Sequence, residues 1–202
     1  MTTFREIYLW INRYTEDAQS QYRGRKSHLT LSTQALLNQT HALVNEHRVS
    51  EVWSMVSRLT DLCNCESYSV NERAEIFLEC GFIVSGLGSS FDAAEHFDKA
   101  ASNYICLHNM SIAFWGKGLN LWRMIEEHQN AIVAWRLAMD AFSDCCETTK
   151  KEIDTLRVRG KLDSKEAIFK VTAWKKRVAW YDGTYAQMQQ ALLNKIEQNK
   201  AY

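Results

Sequence analysis

Apolar residues recur at alternating spacings of three and four along most of the chain, which is the pattern of helices that bury one face. Near the start, such a stripe predicts a helix over residues 3–22: Phe4, Ile7, Ile11, Tyr14 and Ala18. Two more helices are predicted over 33–46, with Ser32 as the N-cap, and over 50–63. The chain contains no proline, so long uninterrupted helices are expected.

A helix pair is predicted in the middle of the chain. Ser69 and Glu72 have the spacing of a capping box, which starts a helix that extends to about Gly86. A turn rich in glycine and serine follows, and Ser90 caps a second helix that extends to about Leu107. Along both helices, aromatic, small and bulky residues occur in a fixed order: Phe77, Gly81, Val84, Ala93, Phe97 and Ala100. This order indicates two antiparallel helices in tight contact.

In order and spacing, these six residues resemble the tetratricopeptide repeat (TPR), a pair of helices that recurs about every 34 residues. A second copy lies over Trp115, Trp122, Ala131, Trp135 and Ala138. It begins 38 residues after the first (Phe77 to Trp115), and Leu119 stands in place of the glycine. The resemblance implies TPR-like antiparallel helix pairs, stacked in an α–α superhelix over residues 69–144. It also implies a scaffold for other polypeptides rather than a catalytic site.

The last third of the chain predicts a long antiparallel helical hairpin over residues 130–198. One apolar stripe steps from Trp135 to Leu156, a second from Val171 to Leu192, and Gly160 lies between them. The two stripes either pack on each other or leave one end open to a partner helix or to a second copy of the chain. With N-terminal helices over 1–66, we expect a single all-α domain over 1–202.

Composition and charge argue against several classes of protein. The 24 basic and 24 acidic residues give a formal net charge of zero, which does not suit a protein that mainly coats nucleic acid. No apolar run approaches the roughly 20 residues that span a bilayer, and the N-terminus lacks the pattern of a signal peptide. The sequence therefore predicts a cytoplasmic protein with no membrane partner.

No sequence motif predicts catalysis, and we expect neither an enzyme nor a cofactor. Cys63 and Cys65, with Cys80 or His108, offer metal ligands, but a second matched cysteine pair is missing. Buried, reduced thiols are the favoured interpretation of the six cysteines, with a metal or redox role as the alternative. The run Glu126-Glu127-His128 is predicted to lie in a solvated turn between helices.

Two basic clusters suggest nucleic-acid binding as an alternative function: Arg23, Arg25 and Lys26, and Lys175, Lys176 and Arg177. The second cluster is flanked by Trp174 and Trp180, and cations interleaved with aromatic rings can bind a phosphate backbone. Neighbouring acidic residues balance this charge, so a solvated helix face is the favoured interpretation.

The TPR resemblance implies a binding groove, because the first helix of each pair lines the concave face of such repeats. The implied groove residues are Glu75, Leu78, Phe82, Ser85, Ala113, Gly116, Asn120 and Arg123. Exposed Leu78 and Phe82 would form an apolar patch, and burial of both by the N-terminal helices is the alternative. These two residues also stand where some TPR proteins carry the lysine and asparagine of a clamp for chaperone C-termini, so that clamp is not expected.

The predicted function is therefore a non-enzymatic adaptor, assembly factor or chaperone-like protein that binds another polypeptide. We expect the partner segment, a helix or an extended peptide, to be held by apolar and aromatic contacts. A structural protein that self-associates through the C-terminal hairpin is the further alternative.

Overall fold

The computed structural model describes residues 29–161, except 66 and 105, together with the isolated positions 165, 168, 171, 172 and 175. This part contains no strand, and its six α-helices are α1 (Leu31–Asn45), α2 (Val49–Leu62), α3 (Val70–Gly86), α4 (Ser90–Asn103), α5 (Leu107–Trp122) and α6 (His128–Val158). A 3-10 turn, Ile125–Glu127, precedes α6. The predicted all-α class is therefore confirmed. The predicted helix over 3–22 and nearly all of the second hairpin arm lie outside the described residues.

None of the described helices is both long and apolar enough to cross a bilayer.

The chain divides into two compact units within α6, between Met139 and Asp140. In the first unit the structure describes α1 to α5 and the start of α6; in the second it describes the rest of α6 and a few later positions. Along this later part Phe142 and Ile153 are buried, and Gly160, at φ 65°, follows the end of the helix. The hairpin over residues 130–198 stays a prediction. The organisation as a single domain stays a prediction.

Among the described helices, α1 and α3 have a side-chain N-cap, whereas the N-cap residues of α2, α4 and α5 make no such hydrogen bond. The N-cap of α4 is Ser89 and not the predicted Ser90. The hydroxyl of Ser69 accepts a hydrogen bond from the Glu72 amide at 3.2 Å, and the Glu72 carboxylate accepts one from the Ser69 amide at 2.8 Å. The predicted capping box of α3 is therefore confirmed. The cap of α1 is Thr30 and not the predicted Ser32, because Thr30 has the extended backbone that an N-cap needs, with ψ 155°. Its hydroxyl accepts from the Thr33 amide at 3.2 Å.

Three helices end in one backbone motif, in which a residue with positive φ follows the helix. At the end of α1 the Arg48 amide donates to the Leu43 carbonyl at 3.0 Å, closing the turn. The residues with positive φ are Gly88 after α3 (87°), Gly160 after α6 (65°) and His47 after α1 (56°). Glycine adopts this conformation without steric cost, whereas His47 does not.

The prediction that α4 extends to about Leu107 is wrong. The helix ends at Asn103, and Tyr104 takes an extended backbone with ψ 133°. The side chain of Asn103 donates to the Lys99 carbonyl at 2.8 Å and so competes with the backbone for the last helical hydrogen bonds. Leu107 is instead the first residue of α5.

The ring of Phe97 joins three helices. In the first unit α1 packs on α2, α2 on α3, α3 on α4 and α4 on α5, and α3 also contacts α1 and α5. Phe97, on α4, lies between Gly81 of α3 and Gly116 of α5. A Cβ atom would lie 2.9 Å from the ring at Gly81 and 2.6 Å from it at Gly116, so neither position has room for a side chain. The predicted tight contact between α3 and α4 is confirmed, and the same ring makes an equally close contact with α5.

A second contact of this kind joins α5 to α6. Trp135, which is fully buried, lies against Gly118, where a Cβ atom would overlap Nε1 and Cδ1 of the indole. The spacing of the second pair predicts Leu119 at the glycine position, but in the structure Gly118, one residue earlier, contacts the ring. Small residues and one leucine then join α4, α5 and α6: Ala94, Leu121, Ala131 and Ala134.

Candidate functional site

Most of the residues predicted to line a groove are buried in the core of the first unit and are not exposed on its surface. Five of the eight are buried: Glu75, Leu78, Ala113, Gly116 and Asn120. Leu78 and Ala113 have no exposed surface, so the expected apolar patch does not include Leu78, and the alternative of burial holds for it. Phe82 and Ser85 are half-buried, and Arg123 is exposed.

The burial of α3 explains this difference. The helix contacts α1, α2, α4 and α5, and every residue from Ala74 to Gly81 is buried. A sequence pattern predicts which residues face the partner helix of a pair, but it does not include the neighbours on the other sides. Only the last two turns of α3, with Phe82 and Ser85, retain partly exposed positions on the predicted binding face.

Three of the predicted residues form a polar cluster near the C-terminal ends of α3 and α5. Asn120, which is 1% exposed, donates from Nδ2 to the Gly116 carbonyl at 2.9 Å. Its Oδ1 accepts from the Ser85 hydroxyl at 3.0 Å and from Nη1 of Arg123 at 3.3 Å. Nη1 of Arg123 also donates to the Ser85 hydroxyl at 3.2 Å. Because an unpaired buried amide is costly, this network fixes the position of all three side chains.

The guanidinium of Arg123 donates hydrogen bonds to two neutral oxygens, those of Ser85 and Asn120. No carboxylate in the described part of the chain forms an ion pair with Arg123, and the nearby Glu127 accepts instead from Asn130 at 2.6 Å. Elsewhere in the same unit, the cation of Lys117 is paired with Asp98 at 2.5 Å. Arg123 therefore presents a fixed cation whose counter-charge is absent from the described residues.

Phe82 adds an apolar ring beside this cluster. It lies one helical turn before Ser85 on α3, and residues three apart are neighbours on a helix surface. Its ring packs edge-on against Phe97, with 5.1 Å between centroids and an interplanar angle of 78°. We call Phe82, Ser85, Asn120 and Arg123 together the Arg123 surface; this is the candidate site.

The structure contains a buried acid that no sequence pattern predicts. Glu79, on α3, is 8% exposed, and its Oε2 lies 3.4 Å from Nε2 of His41 on α1. The contact is an ion pair whenever the imidazole is protonated. No local signal points to it, because the two residues lie far apart in the chain and neither belongs to a motif.

The prediction that His128 lies in a solvated turn is wrong. It is the first residue of α6, and its ring stacks on Trp122 with 3.8 Å between centroids and a 10° angle. Its Nε2 also lies 3.1 Å from the Trp122 carbonyl oxygen. Trp122 also stacks on Trp135, with 5.5 Å between centroids. The three stacked rings therefore stabilise the turn between α5 and α6. Glu126 is exposed, as predicted.

The cysteines differ in exposure. Cys63 and Cys80 are buried, as predicted, whereas the same prediction is wrong for Cys65 and Cys106, which are exposed. Burial raises the pKa of the Cys63 thiol to about 12 and also raises the pKa of Cys80. Both buried thiols are therefore protonated and unreactive near neutral pH.

No group of three or more side chains able to hold a metal occurs among the residues that the structure describes. A pocket of about 430 Å³ lies between the α1–α2 turn and the end of α3. Its lining includes Val44, His47, Arg48 and Leu87, and none of the predicted groove residues belongs to it.

Of the two basic clusters, only Lys175 is described, and it is helical and exposed. The others, Arg23, Arg25, Lys26, Lys176 and Arg177, lie outside the described residues. Nucleic-acid binding stays a prediction.

No protein-family model, curated protein or solved structure matches the chain.

Proposed function

We propose that the chain is a non-enzymatic scaffold that binds a partner polypeptide at the Arg123 surface, as an adaptor, assembly factor or chaperone-like protein. The observation that carries this proposal is the network of Ser85, Asn120 and Arg123. It joins α3 to α5, the first helices of two consecutive helix pairs, and it holds a cation at the surface. Repeat proteins of stacked helix pairs bind polypeptides on such a surface.

The glycine–aromatic contacts support a TPR-like arrangement for this part of the chain. In the pair α3–α4, Gly81 lies against Phe97, and in the pair α5–α6, Gly118 lies against Trp135. In both pairs the first helix supplies the glycine and the second supplies the ring. This agreement favours two copies of one packing unit, stacked through the contact between Phe97 and Gly116.

The chemistry of the surface favours binding over catalysis. Its only nucleophile is the hydroxyl of Ser85, whose partners are an amide oxygen and a guanidinium, and neither is a general base. All six cysteines are free, which favours a reducing compartment such as the cytoplasm.

A peptide-selection experiment tests the proposal. The full chain is immobilised and a phage library of random 12-residue peptides is selected on it; the affinities of enriched peptides are then measured by fluorescence titration. We expect Phe82→Gln to lower the affinity for these peptides by tenfold or more, because aromatic anchors contribute much of the binding energy of an interface.

Phe91→Gln provides the matched control. Phe91 is 69% exposed on α4 and lies outside the Arg123 surface, so this variant should bind the same peptides as tightly as the wild type. Circular dichroism checks that both variants retain their helices. The proposal fails if no peptide family is enriched, or if the enriched peptides bind Phe82→Gln as well as they bind the wild type.

A further inference from the structure

Asn120 fixes the position of the arginine beside it. Its amide is almost fully buried, and both of its polar atoms are engaged, Nδ2 by the Gly116 carbonyl and Oδ1 by Ser85 and Arg123. Rotation of this amide would break bonds to two helices. Nη1 of Arg123 is therefore anchored before any ligand arrives, and a pre-ordered side chain loses less entropy when it binds.

The other edge of the guanidinium remains available. Nη1 makes both hydrogen bonds of the arginine, while Nε and Nη2 donate to no acceptor in the described part of the chain. The N–H groups of Nε and Nη2 have the spacing to donate two parallel hydrogen bonds to the two oxygens of a carboxylate. Nη1 thus fixes the arginine to the protein, while Nε and Nη2 remain available to a ligand.

The charge of the surface points to an anionic ligand. Ser85 and Asn120 are neutral, so they position the guanidinium without compensating its charge. We infer that Arg123 is a subsite for the carboxylate of an aspartate or glutamate side chain in the bound polypeptide. The inference rests on the proposed function and adds the chemistry of the partner: an acidic residue next to an apolar one that contacts Phe82.

A carboxylate matches this subsite better than a phosphate group does. A phosphorylated side chain carries nearly two negative charges, and sites that bind it gather several arginines or lysines. The cluster contains one cation, and among the described residues no second lysine or arginine hydrogen bonds to Ser85 or Asn120.

The test uses matched peptides and matched variants. A peptide selected on the wild-type chain is synthesised in two forms, with its acidic residue intact or replaced by the corresponding amide. We expect the wild type to prefer the acidic form about tenfold, as hydrogen bonds between charged groups predict. Arg123→Gln should bind the two forms equally. Arg136→Gln, which removes an exposed arginine of α6, should retain the preference.

The outcomes separate this inference from the proposed function. If peptides are enriched and depend on Phe82, but Arg123→Gln retains the acidic preference or the wild type shows none, the scaffold stands and the carboxylate subsite is wrong. A phosphoserine form that binds ten times more tightly than the glutamate form would also overturn it. If no peptide is enriched, both fall. Unfolding curves of Arg123→Gln identify a purely structural role, which would lower stability without changing the preference.

Discussion

The indole of Trp135 lies directly on the backbone of Gly118, so closely that a single methyl group at the glycine would overlap the ring. The indole Nε1 is buried and donates no hydrogen bond to the described residues. Shape and dispersion therefore hold the ring in place rather than polar bonding.

Gly118→Ala should destabilise the protein by about 2 kcal/mol. Overpacking a core costs about 1–3 kcal/mol and the rigid indole puts this site at the upper end, while the better helix propensity of alanine offsets up to about 1 kcal/mol. Urea unfolding monitored by circular dichroism measures the change. Gly86→Ala is the control: no atom lies within 4 Å of a Cβ there, so its stability should be unchanged or slightly higher. Equal effects at both glycines would contradict the prediction.

Gly116→Ala should be rescued in part by Phe97→Leu. Each change alone destabilises, the first by a clash with the ring and the second by lost packing, but the smaller leucine removes the clash. We expect a coupling of at least about 1 kcal/mol in a double-mutant cycle measured by urea unfolding. Additivity within about 0.5 kcal/mol would mean that the ring and the glycine do not meet.

His47→Gly should stabilise the protein by about 1 kcal/mol. His47 has φ 56°, a conformation that costs an L-residue about 1–2 kcal/mol and glycine none, although the freer unfolded chain of glycine offsets part of the gain. Thermal unfolding gives the change. The reciprocal variant Gly88→Ala should destabilise by a similar amount, because Gly88 has φ 87° and its Cβ position is open. A less stable His47→Gly would show that the imidazole contributes more than its strain costs.

Stability should fall as the pH is lowered from about 7 towards 5, in part because of His96. Burial is the main cause that lowers the pKa of this histidine, and Lys99 adds to it, while Glu95 and Asp92 act in the opposite sense. The unfolded chain, with a histidine pKa near 6.5, then binds the proton more readily than the folded one. The stabilisation is therefore complete above about pH 6.5 and is lost as the pH falls below that value.

Urea midpoints measured across this range test the prediction. His96→Gln should flatten the profile, and Lys99→Gln should flatten it less. A profile that keeps the wild-type slope in His96→Gln would assign the effect to other groups.

Features that depend on the spacing of residues within one helix or one helix pair were predictable from the sequence. The capping box at Ser69 and the contact of Gly81 with Phe97 follow from spacing within a single helix pair. The use of Gly118 instead of Leu119 was not predictable, because a shift of one residue depends on how the Trp135 ring enters the helix contact.

The candidate site could likewise be predicted only in part. Ser85, Asn120 and Arg123 were each predicted to lie on one face, but their hydrogen bonds cross between helices and no motif encodes them. The burial of Leu78 depends on helices that surround α3 on several sides, which the pattern of α3 alone does not report.

The placement of Phe97 between two glycines has a consequence for evolution. Gly81 and Gly116 lie on different helices, yet neither can acquire a side chain while the ring remains. The three positions are therefore expected to evolve together. If a smaller residue replaces Phe97, both glycine positions can accept a side chain; if Phe97 is kept, both must remain glycine. Divergent descendants of this chain should show the three positions changing together.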